Sequence, residues 1–241
     1  MIHSFFFGKI LRDSIRFIEK TEENNYNGFM NITLYNEIKN LSDKYKTELR
    51  SKINDRIDEM KSDDNSHYLI YRVLGITESE GNLIDIYQNK GRFVYKYAGT
   101  FLEEAAILCL KHKYPNGKKT KIPNALGKKP ATYEIDFLNK NDALEIKWRD
   151  ATTDGDHITK EHTRVKTISL KKLKPIRVMF YYPQREQAIR IQETLKTLYE
   201  GVRGEYYAGE EAWQFIKDYT GTDLKKILEK IALERTAEYE Q

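Results

Sequence analysis

The 241-residue chain has a single cysteine, Cys109, so it forms no intrachain disulfide and holds no cysteine-based zinc. That usage fits a reducing cytoplasm. No apolar run approaches the roughly 20 residues of a membrane span. The opening MIHSFFFGKILRDSIRF carries an apolar patch but no cleavage-site pattern. With Ile10, Leu11, Ile15 and Ile18 at helical spacing, it reads as an amphipathic first helix and not as a signal peptide. Internal repeats and low-complexity tracts are missing too. Neither Gly117-Lys118 nor Gly127-Lys128 has the upstream glycine of a Walker phosphate loop.

Acidic residues are absent between Glu104 and Glu134, where Lys111, Lys113, Lys118, Lys119, Lys121, Lys128 and Lys129 fall. A second basic run holds Lys160, Arg164, Lys166, Lys171, Lys172, Lys174 and Arg177, interrupted by Glu161. The net charge is only +4, because the C-terminal segment is more acidic. Basic stretches around one site fit a polyanionic partner, since phosphates are held by Lys and Arg. A solvated loop face is the bland alternative.

The length suits one medium-sized domain or a core with a helical extension. Residues 1–95 read as mostly helical, a region for dimerisation or DNA contact. Within it, Leu41, Tyr45, Leu49, Ile53 and Ile57 form one stripe on a long polar helix. KSDDNS breaks that helix, and a short helix is expected near EGNLIDIYQ. Residues 96–241 read as a core with C-terminal helices. Gly99 to Leu110 is apolar on nearly all sides except Glu103 and Glu104, the mark of a buried helix. A lysine-rich loop with several breakers follows. Then come two strands, a helix, the strand IRVMFYY and an amphipathic helix through Ala188, Ile191, Leu195 and Leu198. Two closing helices end the chain, the last with Thr222 as its expected N-cap. This order predicts an α/β fold: a small mixed sheet flanked by helices, with a helical N-terminal region.

The two adjacent strands lie in YEIDFLNKNDALEIKWRD, Tyr133 to Asp150. A turn centred on Lys140 and Asn141 sets Phe137 opposite Leu144, Asp136 opposite Glu145, Ile135 opposite Ile146 and Glu134 opposite Lys147. Side chains alternate faces. Ile135, Phe137, Leu144, Ile146 and Trp148 then form the core face, and Glu134, Asp136, Glu145 and Lys147 form the other. Opposed like charges destabilise a sheet, so the pair Asp136 and Glu145 is anomalous. A divalent cation between them reverses the sign, because Mg²⁺ prefers hard oxygen ligands. Lys147, two residues beyond Glu145, can orient or activate a water or stabilise charge on an attacked phosphate. The Ile146 carbonyl can add a ligand. A plain polar face, with Glu134 and Lys147 as an ordinary ion pair, explains the same residues.

Acid, E-x-K, preceding acidic helix and basic loops together resemble the PD-(D/E)xK nuclease superfamily. Its acid corresponds to Asp136 and its E-x-K to Glu145, Ile146 and Lys147, with Ile135 where the motif has proline. Gly99 and Glu103 match the G-x-x-x-E of many members, which implies Glu103 as a further catalytic and metal-binding carboxylate. YQNKGRFVYKYAGTFLEEAA, EIKWRDATTDGDHITKEHTRVK and GEEAWQFIKDYTGTDLKKILEKIA are similar to ApaLI-like type II restriction endonucleases. That resemblance implies Mg²⁺-dependent cleavage of double-stranded DNA at a short palindrome, GTGCAC for the family's namesake. It also implies 5′-phosphate ends, a homodimer and a bacterial restriction–modification system with its own DNA methyltransferase. Expected DNA contacts are Lys118, Lys119, Lys121, Lys128, Lys129, Arg149, Lys160, His162 and Arg164. Asp154, Asp156 and His157 lie in a loop next to the hairpin and join that set, since His157 and His162 are off the spacing of helical metal ligands. A repair or junction-resolving nuclease with the same site is the near alternative. A non-enzymatic helical nucleic-acid-binding protein is the distant one.

Overall fold

The computed structural model describes residues 31–127, 129–149 and 155–239. The helix expected around Ile10 to Ile18 lies outside the described residues, as do Lys128 and Asp154.

Helix α1 spans Ile32–Met60. Asn31 caps it, its side chain accepting from the Thr33 and Leu34 amides at 3.1 and 3.2 Å. Leu34, Tyr35 and Ile38 are buried in the core, and the expected stripe beyond Leu41 is half-buried. A short helix α2, Tyr68–Val73, follows the break. Helix α3 then runs unbroken over Glu78–Lys113. The sequence suggested two pieces here, a short helix and a buried one from Gly99. No proline precedes Pro115, and an interior glycine costs only about 1 kcal/mol against alanine, so Gly91 and Gly99 do not break the helix. Its start is fixed by a capping box between Thr77 and Glu80. Its inner half buries Leu102, Ala105, Ala106, Cys109 and Leu110. Its outer half lies against α1.

Five strands follow in spatial order β1-β2-β3-β4-β5. They are β1 (Lys118–Pro123), β2 (Thr132–Asn139), β3 (Asp142–Arg149), β4 (Lys174–Tyr181) and β5 (Glu205–Ala208). The first three pair antiparallel, and β3, β4 and β5 pair parallel. Helix α4 (Gly155–Leu170) connects β3 to β4, and α5 (Glu186–Glu200) connects β4 to β5. Helices α6 (Glu210–Thr220) and α7 (Leu224–Tyr239) close the chain. The mixed sheet flanked by helices is the expected class, with two strands more than expected. β1 falls in the lysine-rich segment read as a loop. As an edge strand it buries only Ile122, so it lacks an apolar signature. The last helix is capped one residue later than expected: the Lys226 amide donates to the Asp223 carboxylate at 3.2 Å, not to Thr222.

The two sheet faces carry separate cores. Phe137, Leu144, Ile146, Ile176, Val178 and Phe180 pack against α1, α3, α6 and α7. On the other face, Met179 and Tyr206 meet Val165 of α4 and Ile191, Leu195 and Tyr199 of α5.

Candidate active site

The β2–β3 register is the expected one where the strands pair: Phe137 with Leu144, Leu138 with Ala143, Asn139 with Asp142. The ladder stops there, and Asp136 is not set opposite Glu145 in a regular pair. The reason lies on the other edge of β2. Lys118 pairs with Leu138 but Thr120 pairs with Ile135, so β2 carries one extra residue opposite β1. Such a bulge bends the strand and re-aims side chains. It inverts the alternation, which corrects the expected faces. Ile135 leaves Phe137 and packs with Tyr133, Ala143 and Ile168. Glu134 leaves the Lys147 side and pairs with Lys119 at 2.7 Å, with Lys121 3.9 Å away.

Where the ladder ends, the Asp136 carboxylate substitutes for backbone. Its Oδ2 accepts from the Ile146 amide at 2.8 Å. Asp136 is 5% exposed. Burial and the nearby Glu145 charge push its carboxyl up to about 7, against the pull of Lys147. Glu145 is also 5% exposed but meets two cations. Lys147 Nζ lies 2.7 Å from its Oε1, and Arg164 of α4 contacts the same oxygen. Burial opposes the Glu145 charge, but Lys147 and Arg164 together outweigh it and hold the carboxyl at about 2. Lys147 is kept protonated: Glu145 and Asp136 overcome its burial and raise its pKa above the ordinary lysine value. The lysine therefore stands as a cation beside the acids.

Behind Glu145 lies a polar layer that the sequence did not reveal. Arg177 of β4 is register-paired with Glu145 and is 1% exposed. Its Nη1 donates to Glu161 Oε1 of α4 at 3.3 Å. The buried Tyr199 hydroxyl donates to the same oxygen at 2.6 Å. Arg164 Nε is 3.9 Å from the other Glu161 oxygen. Three carboxylates (Asp136, Glu145, Glu161) and three cations (Lys147, Arg164, Arg177) thus share one cluster, in which the acids and Arg177 are buried and Lys147 and Arg164 reach the surface in part. The only hint in the sequence was Arg177 within an otherwise apolar strand.

The sequence model of the ApaLI-like restriction endonuclease family matches residues 19–233. The chain belongs to that family. No curated protein and no solved structure matches it. Family membership makes the chain a restriction nuclease that hydrolyses DNA, and the three motif residues Asp136, Glu145 and Lys147 meet in one place on its sheet.

The other residues singled out in this restriction endonuclease fall into two groups. Glu103 is half-buried on α3, 3.9 Å from Lys119. Burial raises its carboxyl, against Lys147 and Lys119. Arg164 lies inside the site, on Glu145. Lys118, Lys121, Lys129, Arg149 and Lys160 are exposed, and His162 is half-buried. Lys119 is engaged by Glu134 and Glu103. Asp156 and His157 fall in the first turn of α4 and not in a loop, and their side chains lie outside the described residues. Among the described residues, no helix is long and apolar enough to cross a membrane.

The donor set suits a divalent metal. The Asp136 and Glu145 carboxylates and the Ile146 carbonyl are hard oxygens, and Asp136 is a buried acid whose ionised form is under-compensated. Among the described residues, no three His, Cys, Asp or Glu side chains form a ready cage. Mg²⁺ does not need one, since it binds through one or two carboxylates plus waters and substrate phosphates.

Proposed function

We propose that this endonuclease is a type II enzyme that hydrolyses phosphodiester bonds of double-stranded DNA at a short palindrome, with Mg²⁺, leaving 5′-phosphate ends. The observation that carries this reading is the meeting of the buried Asp136 and Glu145 with the half-buried Lys147 where the β2–β3 ladder ends. Asp136, Glu145 and the Ile146 carbonyl would hold the metal, with Glu103 as an outer carboxylate. When bound, Mg²⁺ supplies an activated water and neutralises charge on the attacked phosphate.

The chain's own groups do the rest. Asp136 is fixed by the Ile146 amide, so its second oxygen is aimed without rotamer search. Lys147, held protonated, stabilises the negative charge that builds on the phosphate. Arg164 holds the position of Glu145. Exposed Lys118, Lys121, Lys129, Arg149 and Lys160 meet backbone phosphates, which fix register but carry no sequence information. A palindromic target calls for a two-fold assembly of this chain, since symmetry of reader mirrors symmetry of site. Residues 1–95 then serve DNA contact or dimerisation, residues 96–241 carry the nuclease core, and a cognate methyltransferase in the bacterial cytoplasm protects host DNA.

The test is a plasmid digest with mapped ends. Wild type is expected to give discrete fragments only with a divalent metal, and Lys147→Ala none, while the variant still binds DNA. Undiminished cutting by Lys147→Ala sinks the site assignment. Cutting confined to branched DNA turns the reading to a junction-resolving nuclease.

A further inference from the structure

A groove of about 820 Å³ runs between α1 and the outer half of α3. Among the described residues, its lining holds three cations, Arg56, Arg92 and Lys96, and no acidic residue. Arg92 and Lys96 are four residues apart on α3, so they share one helix face, and both are exposed. On its far wall Glu59 and Asp63 contact Arg56 at 3.1 and 3.3 Å. They offset Arg56 and leave the charge of the α3 wall intact.

The groove is joined to the catalytic strand. Tyr95 on its wall accepts from Arg149 Nη1 at 3.0 Å, and its ring lies 5.2 Å from that of Trp148. Trp148 and Arg149 directly follow Lys147 on β3. The spacing along α3 can be read in base pairs. Arg92 lies 11 residues before Glu103, the α3 residue electrostatically linked to Lys147. At 1.5 Å per residue that is about 16 Å. For a duplex laid along α3, at 3.4 Å per step, it corresponds to about five base pairs.

We propose that this groove binds the DNA backbone flanking the cleavage point, about five base pairs from the scissile phosphate. The inference rests on the nuclease reading above and assigns the outer half of α3 its partner: phosphates of intact duplex, held without regard to sequence. Two cations on one rigid helix face are pre-organised for successive phosphates, and the Tyr95–Arg149 contact fixes the groove relative to the reacting strand.

Binding is measured by fluorescence anisotropy in EDTA, with duplexes of about 30 and about 8 base pairs, over about 50–200 mM salt. The Arg92→Ala/Lys96→Ala variant is expected to lose about 1.8 from the slope of log K against log salt, since each phosphate contact contributes about 0.9. It should bind the long duplex at least about tenfold more weakly and the short one like wild type. Plasmid fragments should keep the same ends, because the reacting residues are untouched. Gly91→Glu gives a second, independent reading. Gly91 lines the groove and a Cβ there meets nothing within 4 Å, so the position has room for a side chain. The acid should weaken long-duplex binding, and Gly91→Ala should not. An unchanged slope in Arg92→Ala/Lys96→Ala, from a wild type that binds and cuts, overturns the groove alone. A wild type that cuts no DNA with any divalent metal overturns the nuclease reading.

Discussion

The Asp136 carboxylate accepts the hydrogen bond that the Ile146 amide would otherwise donate to a backbone carbonyl of the neighbouring strand. A buried acid is thus locked in place by backbone, next to a second acid, with its ionised form disfavoured. Its folded pKa of about 7 lies above its ordinary value of 3.8. The penalty is absent below about pH 4, grows as pH rises to about 7, and is complete above that. Asp136→Asn keeps an oxygen for the Ile146 amide but removes the charge. In EDTA, the variant should be more stable than wild type by about 1–4 kcal/mol at pH 8 and equal to it near pH 4. It should not cleave DNA. Chemical denaturation at the two pH values checks this, and a destabilised Asp136→Asn at pH 8 would contradict it.

Glu145 should behave with the opposite sign. Its carboxyl is held at about 2, below the ordinary 4.5, by Lys147 and Arg164 against burial. It therefore contributes stability that is present above about pH 4.5 and fades as pH falls toward 2. Glu145→Gln leaves two cations facing a neutral amide. A loss of about 3–5 kcal/mol at pH 7 is expected, as for other broken buried pairs. Two acids of one site would then differ in the direction of their stability effect while sharing loss of cleavage. Equal effects in the two variants would mean that Lys147 and Arg164 do not discriminate between them.

Arg164 links Glu145 to the buried Glu161, and the Tyr199 hydroxyl anchors Glu161 from α5. Tyr199→Phe removes that donor and should cost about 1–3 kcal/mol of stability. Arg164→Ala is expected to lower the maximal cleavage rate by at least about 100-fold with little change in DNA affinity. Arg164→Lys should restore part of the rate, because it keeps charge but not the planar fork. Single-turnover cleavage beside anisotropy separates the two effects. If Arg164→Ala instead loses affinity and salt dependence, Arg164 is a phosphate contact.

Much of the hairpin was legible because its signals are local. The turn, the alternating apolar residues and the improbable pair Asp136 and Glu145 all lie within Tyr133 to Asp150. The β2 bulge was not, since one extra residue leaves composition and hydrophobicity unchanged and shifts only the facing of Glu134 and Ile135. β1 was hidden because an edge strand needs no apolar face, and its lysines mark loops equally well. The layer behind Glu145 was hidden for another reason. Arg164 is one turn from Glu161 on α4, but Arg177 and Tyr199 come from β4 and α5, and only the packing of these elements brings them to Glu161. Glu161 itself looked like an interruption in a basic run, and its burial gives that interruption its meaning.

Gly117 ties the start of the sheet to the site. It precedes β1, and a Cβ built there would lie 2.6 Å from Cε1 of Phe137, inside the ring's van der Waals envelope. Phe137 is fully buried and adjoins Asp136. Because the ring is packed on Leu144 and Ile146, it has no room to yield without shifting β2. Gly117→Ala should therefore destabilise the protein by about 1–3 kcal/mol. The β2 shift should also move the Asp136 carboxylate away from the Ile146 amide, lowering cleavage below what the lost stability explains. Comparing variant and wild type at a temperature where both are fully folded isolates that second effect. Full activity in a folded Gly117→Ala would show that Phe137 adjusts without disturbing its neighbour.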